Sequence, residues 1–236
     1  MKWRSVLAAV VLTLLAPPLP AQRQSSLTRL PSRLAVFAVP LADANELTAV
    51  ASALEVVGVG FETTSELEVA LQAPLVVLAG TLTNKALSAA ERERLYAYVE
   101  AGGVLFASHV QGNQFFPLFG LAAFATSREN FRLRFVAAEA DPVLRFLNQP
   151  EEQEIRFGDP GRFEEVDWTS EYTLGRAQAL GHYPNGAVGF MRNYYGRGVA
   201  YSLGISFADS TLRPALGQSY EAQPQWVNVF APSADV

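Results

Sequence analysis

The chain contains no cysteine. That absence excludes disulfides, a lipid-modified cysteine anchor and a thiol nucleophile, so the fold must be held by its core alone. Lysine is nearly absent as well, since Lys2 and Lys85 are the only two. A catalytic lysine would have to be Lys85, whose setting in Thr83-Asn84-Lys85 reads as a solvated loop before a helix. The two histidines, His109 and His182, have no histidine or cysteine near them. Asp141, Asp159, Asp167 and Asp209 are scattered beside turn residues, so no metal-ligand spacing is present and no metal or other cofactor is expected. The net charge is −5, and no run of Lys or Arg follows the first residues. Nothing therefore matches a phosphate backbone, and nucleic acid is excluded as a partner.

Apolar residues are plentiful, at 50% of the chain. That supplies a substantial core and argues against disorder. The first residues read as a secretory leader: Lys2 and Arg4 are basic, Ser5 to Ala16 is apolar, and Pro17-Pro18-Leu19-Pro20-Ala21 ends in a small residue. An apolar run of this length covers only about 18 Å as a helix, short of a hydrocarbon core of roughly 30 Å, so cleavage after residue 21 is expected rather than a stable membrane span. The protein is accordingly expected to be exported, to the periplasm or the extracellular space. The remaining chain divides into a domain over residues 30–209 and an irregular tail over 210–236, where Pro214, Gly217, Pro224 and Pro232 interrupt any pattern.

Within the domain, Leu34 to Val39 is a continuous apolar run suited to a strand buried on both faces. Asn45 to Val57 carries Leu47, Val50, Ala51 and Leu54 at helical spacing, with Gly58 as a stop. Phe61 to Thr64 reads as a short strand, Glu66 to Leu71 as a helical turn, and Pro74 to Gly80 as a strand ended by its glycine. Ser88-Ala89-Ala90-Glu91 has the spacing of a capping box, Leu95, Tyr98 and Val99 form the apolar stripe behind it, and Gly102-Gly103 closes the helix. Val104 to Ala107 opens the next strand. This alternation predicts an α/β fold: a flavodoxin-like, open and mostly parallel sheet with helices on both faces. Farther on, Tyr172 to Leu180, Ala187 to Tyr194 and Val199 to Ile205 read as β segments, so a C-terminal antiparallel meander is expected.

Leu75–Gly80, Leu87–Gly103 and Val104–Gly112 resemble the central part of class I glutamine amidotransferase-like domains. There a helix ends in Gly-Gly and a strand leads into a Gly-x-Cys-x-Gly elbow. Placing that motif's last glycine on Gly112 puts Ser108 at its first glycine and Val110 at the nucleophile. Valine cannot attack, and the family's His-x-Glu has no counterpart, because Tyr183 and Pro184 follow His182. Ala187 to Gly204, with its Tyr195-Gly196-Arg197-Gly198 turn, is similar to the closing part of such domains attached to carbohydrate-active enzymes. The resemblance runs from about Leu34 to Asp209 and implies a domain of this fold without its catalytic cysteine. Exported proteins of this kind can continue into a polysaccharide deacetylase domain.

Ligands of open parallel sheets gather at the carboxyl ends of strands. The expected ligand-binding residues are therefore Thr81, Asn84, Ser108, His109, Gln111 and Asn113, with a glycan or a cell-envelope protein as partner and no catalytic residue. Two enzymatic alternatives stand beside this reading. One is a serine hydrolase using Ser108, with His182 approaching in space and Asp159, Asp167 or Asp209 orienting it. The other is the front part of a polysaccharide deacetylase. Phe115, Phe116, Phe119, Phe124, Phe131 and Phe135 form either a sugar-stacking platform, with Arg128, Asn130 or Arg132 bonding hydroxyls, or part of the core. Asp141-Pro142 reads as a helix N-cap with proline following. The glutamates at 151, 152 and 154 read as a solvated approach to Ile155-Arg156-Phe157.

Overall fold

Apolar runs at both odd and even positions form the parallel half of the sheet, because both of its faces are covered. A computed structural model describes residues 34–40, 44–137, 141–147, 152–158 and 168–208. The expected leader, the tail, Asp159, Asp167 and Asp209 lie outside the described residues. Strands β1 (Leu34–Ala38), β2 (Glu62–Thr64), β3 (Leu75–Leu82) and β4 (Val104–Val110) alternate with helices α1 (Ala44–Val57), α2 (Leu67–Ala70) and α3 (Ala89–Glu100). β1 pairs in parallel with both β2 and β3, and β3 with β4, giving the spatial order β2-β1-β3-β4. This is the doubly wound order, in which the direction of winding reverses between β1 and β3 and opens a crevice at their carboxyl ends.

Helices cover the two faces unequally. Ala49, Val50 and Leu54 of α1 pack on Leu34, Val36, Leu75 and Val77. Leu67 of α2 and Leu95 and Val99 of α3 pack on Ala35, Phe37, Val76 and Leu105 from the other side. Each fully buried leucine or valine of these stripes stabilises the layer by about 2 kcal/mol. The α3 capping box forms as its sequence predicts: Glu91 N–H donates to Ser88 Oγ at 3.3 Å, and Ser88 N–H donates to Glu91 Oε2 at 2.7 Å. β3 does not stop at Gly80. That residue takes φ +133°, open to glycine alone, and the register with β4 shifts between Leu78 and Thr81 as the strand continues to Leu82.

The second half of the sheet is antiparallel. β11 (Gly198–Leu203) lies parallel to β4 and is the seam; beyond it follow β10 (Val188–Tyr195), β9 (Gln178–His182), β6 (Arg132–Phe135) and β7 (Glu154–Arg156). The segment Tyr172–Leu180 is two strands rather than one. β8 (Thr169–Leu174) pairs with β5 (Leu121–Ser127) and, at Tyr172, with Val188 of β10, and after Gly175 the chain turns into β9. The break has a local cause: the N–H groups of Gly175, Arg176 and Ala177 all donate to the Gly120 carbonyl, which pins a turn there. Asp141 caps a 3-10 turn, Pro142–Phe146, through a 2.7 Å bond from Val143 N–H. It is also fully buried and ion-paired with Arg192 of β10.

Of the six phenylalanines noted in the sequence, Phe115, Phe119 and Phe135 are buried, and Phe116, Phe124 and Phe131 pack against the two cores as partly buried residues. They are packing residues. Glu154 is no solvated approach either: its side chain is 13% exposed and lies against Arg132, Arg134 and Arg156. Among the described residues no helix is long and apolar enough to cross a membrane.

Candidate functional site

The carboxyl end of β4 turns sharply over the end of β3. Gln111 N–H and Gly112 N–H both donate to the Leu82 carbonyl, at 3.0 and 2.7 Å. Gly112 sits so close to Thr83 and Asn84 that a β-carbon there would come within 2.8 Å of their backbone. Turning the chain this tightly requires one residue in the left-handed region, and that residue is His109 at φ +44°. Among the described residues it is the only non-glycine with positive φ. A strained residue at a strand-to-helix elbow is where α/β enzymes hold a nucleophile, because the bend lifts the side chain out of the sheet. The strained position is therefore occupied by an imidazole, one residue before Val110, on which the motif alignment placed it. Val110 is fully buried, and its N–H donates to the Tyr172 hydroxyl at 3.1 Å.

A polar network fixes the elbow from below. His109 Nδ1 lies 3.0 Å from Ser170 Oγ, and Gln111 Nε2 donates to the same oxygen at 3.2 Å. Tyr172 lies beneath Ser170 and bonds Ser202 of β11 at 2.8 Å. Burial, only partly offset by hydrogen bonds from Ser202, Val110 and Ser170, pushes the Tyr172 phenol up to about 12, so it is a neutral group here. Ser170 is fixed through its backbone as well, its N–H donating to Gly204 O and its carbonyl accepting from the Tyr183 hydroxyl.

On the other side of β4, Ser108 is fully buried and its hydroxyl lies 3.5 Å from Glu46 Oε2. Glu46 is 7% exposed and stands in the first turn of α1. It also accepts from the N–H groups of Phe207 and Ala208, at 3.0 and 3.3 Å. A carboxylate is costly to bury without partners, and here two backbone donors and a hydroxyl supply them. Glu46 thereby ties the crevice after β1, the elbow after β4 and the chain leaving β11 into one unit.

The six residues singled out by sequence fall in three places. Ser108 and Thr81 are register partners on β4 and β3, with Ser108 enclosed and Thr81 partly buried. His109 and Gln111 meet through Ser170. Asn84 and Asn113 are exposed on either side of Gly112, and Asn84 Oδ1 lies 3.4 Å from Gln114 N–H. His182 is elsewhere. It lies on β9, three strand positions from β4, or about 14 Å across the sheet, and its Nδ1 bonds Gly186 O in its own turn. Among the described residues no three His, Asp or Glu side chains form a metal-ligating group. Sequence reading missed Glu46, Ser170 and Tyr172. Glu46 did carry a signal, because it falls in the i, i+4, i+8 row with Val50 and Leu54, the buried stripe of α1. Ser170 and Tyr172 reach the elbow only through tertiary pairing, for which the local sequence has no mark.

No known protein family matches the chain by sequence, and no curated protein matches it. Solved structures do resemble it in fold. One is a ThuA-like protein from Bacteroides uniformis, at 14% identity and TM-score 0.53, covering 87% of this chain and 95% of that one. That protein belongs to the class I glutamine amidotransferase-like fold. An exo-β-1,4-mannosidase from an Opitutaceae bacterium matches at 13% identity and TM-score 0.52, over 86% of this chain and 36% of its own. A β-galactosidase from Rahnella sp. R3 matches at 16% identity and TM-score 0.51, over 77% of this chain and 30% of its own. The chain thus spans about a third of the length of these glycosidases, and at such identities the likeness is one of fold.

Proposed function

We propose that this is an exported, non-catalytic domain of the class I glutamine amidotransferase-like type that binds or positions a glycan at the elbow, as an accessory module of the kind associated with carbohydrate-active enzymes. The observation that carries the reading is the elbow itself. Its strained position holds a histidine 6% exposed and bonded to Ser170, in a chain without a thiol. An imidazole fastened in this way is a fixed polar group that shares Ser170 with Gln111, in a turn where Asn84 and Asn113 are exposed. Side-chain amides offer donors and acceptors together, the chemistry that suits the hydroxyls of a neutral sugar. The leader-like first residues support export, and the glycosidases sharing this fold support the choice of glycan over other polar ligands.

A serine hydrolase is the weaker reading, because Ser108 is enclosed and faces a carboxylate instead of a histidine. The test is a calorimetric titration of the chain with neutral oligosaccharides, comparing wild type with His109→Ala and Asn113→Ala. Binding weakened about tenfold in either variant is expected from the loss of a positioned polar group. Equal affinity in all three proteins would remove the elbow as the site, and covalent labelling of Ser108 by a fluorophosphonate would revive the hydrolase.

A further inference from the structure

The row of side chains that reaches the elbow does not stop at Ser170. On β8, Tyr172 and Ser170 lie on one face, and both contact the end of β4: Tyr172 at Val110 N–H, Ser170 at His109 and Gln111. Side chains alternate along a strand, so carrying that pattern one residue ahead of β8 brings Trp168 to the same face, about 7 Å from Ser170. Trp168 is 54% exposed, in contrast to the nearly complete burial of Tyr172 and Ser170. The β5–β8 register ends with Ser127 opposite Thr169. One step on, it sets Arg128 opposite Trp168, and the Arg128 guanidinium lies 5.8 Å from the centre of the indole.

The two strand ends that carry this pair are fixed. Thr169 Oγ1 donates to the Ser127 carbonyl at 2.9 Å and accepts from the buried amide of Asn130 at 2.8 Å. The same amide bonds Glu171 Oε1 at 2.9 Å, and Asn185 reaches that oxygen at 2.7 Å. An exposed tryptophan alone needs no explanation. One held just before a fixed strand end, backed by a planar cation and following the face of Ser170 and Tyr172, is a pre-organised stacking surface.

We propose that Trp168, backed by Arg128, is the aromatic wall of the elbow site and stacks on the apolar face of a pyranose ring whose hydroxyls meet Gln111 and Asn113. This rests on the glycan-binding reading given above and names the residue that would set its ligand class. The stacking platform thus lies at Trp168 and not at the phenylalanines, which packing occupies. A ring whose C3 and C4 hydroxyls are equatorial presents the C–H face that an indole requires, so gluco-configured chains fit fully and manno-configured chains fit on the face away from their axial C2 hydroxyl, whereas anionic chains gain only from Arg128.

The test uses the full chain and three probes: cellohexaose, mannohexaose and chitohexaose. At least one is expected to bind in calorimetry and to shift the tryptophan fluorescence. Trp168→Ala should weaken that binding roughly tenfold, while Trp168→Phe, which retains an aromatic face, should stay within about threefold of wild type. Circular dichroism checks that each variant is folded. If Trp168→Ala does not fold, Trp168→Phe still tests the wall through fluorescence, because the ligand-induced shift must vanish with the indole; a shift that persists overturns the proposal. Wild-type affinity in a folded Trp168→Ala, with binding lost in Asn113→Ala, overturns the aromatic wall and leaves the elbow reading standing. Failure of all three hexaoses to bind wild type overturns both.

Discussion

His109 bears two opposing demands. Its backbone is in the left-handed region, which a β-carbon disfavours by about 1 kcal/mol relative to glycine, while its ring is bonded to Ser170 Oγ. Removing the ring loses the bond in any substitution, so comparing alanine with glycine isolates the backbone term. His109→Gly is expected to be more stable than His109→Ala by about 1 kcal/mol in urea unfolding, the reverse of the ordinary preference inside a strand or helix. Alanine equal to or better than glycine would mean that the elbow relaxes when the ring is absent. The functional consequence is separate: both variants lose the imidazole, so both should lose ligand even where glycine recovers stability. Glu46 differs in kind, since it bridges three segments. What it holds together is the end of β4 and the exit from β11, not a single loop.

At the scale of elements, the antiparallel β6–β7 pair sets like charges face to face. Arg132 is directly opposite Arg156 in the register, and Arg134 is opposite Glu154. Opposed arginines repel, and Glu154 offsets this by meeting Arg156 at 2.7 Å and Arg132 and Arg134 at 3.4 and 3.5 Å. Burial by itself would raise the Glu154 carboxyl, but the Arg156 hydrogen bond and the charges of Arg132, Arg156 and Arg134 hold it below its ordinary value. A depressed folded-state value means the stabilisation is present above the unfolded-state value of about 4.3 and is lost as pH falls through the lower folded one. Glu154→Gln should therefore be less stable than wild type at pH 7, with the gap closing as pH drops below about 4. Urea midpoints measured between pH 7 and 3 decide this, and a gap that stays constant would show that the charge has no role.

These elements also mark how far the sequence could be read. The apolar runs of β1 and β3, the Ser88–Glu91 box and the Gly102-Gly103 stop are local signals, decided within a few residues, and each appears where its pattern predicts, except that β3 runs past Gly80 to Leu82. The apolar–arginine alternation of Phe131–Phe135 likewise gives β6, with Leu133 and Phe135 inward. β5 was not legible, because Leu121 to Ser127 has no clean alternation and only Leu121 among its residues is buried. The division of β8 from β9 depends on Gly120, more than fifty residues away, and the ion pairing of Asp141 depends on Arg192. The turn that follows β4 is legible from the Gly112 spacing, but its strained residue is not, because φ is set by how β4 crosses the end of β3.

For the molecule as a whole, buried and half-buried phenols join the parallel and antiparallel halves or brace the parallel one. The Tyr172 hydroxyl links β8 to β11 and to the end of β4 through Ser202 and Val110. The Tyr183 hydroxyl reaches Gly204 and Ser170 carbonyls at 2.8 and 3.2 Å. Tyr98 of α3 reaches the carbonyls of Ala73 and Val104, at 3.0 and 3.2 Å, where β3 and β4 begin. Tyr201 of β11 stacks with Phe106 and Phe190. Burial is the largest cause of a raised ionisation in all four, with Tyr172 at about 12 and the others also displaced upward. In the unfolded chain a phenol ionises near 10. The folded state therefore retains protons that the unfolded state gives up, and stability that is complete below about pH 10 falls as pH rises beyond it. The expected result is cooperative alkaline unfolding, in which phenolate absorbance at 295 nm from these tyrosines develops together with loss of far-ultraviolet circular dichroism. The two halves should be lost in one transition, because each phenol that ionises on unfolding belongs to the contacts that join the layers or pack the core beside the seam. Full titration of every tyrosine near pH 10 with an unchanged circular dichroism spectrum would contradict this, since it would require charged phenols inside an intact core.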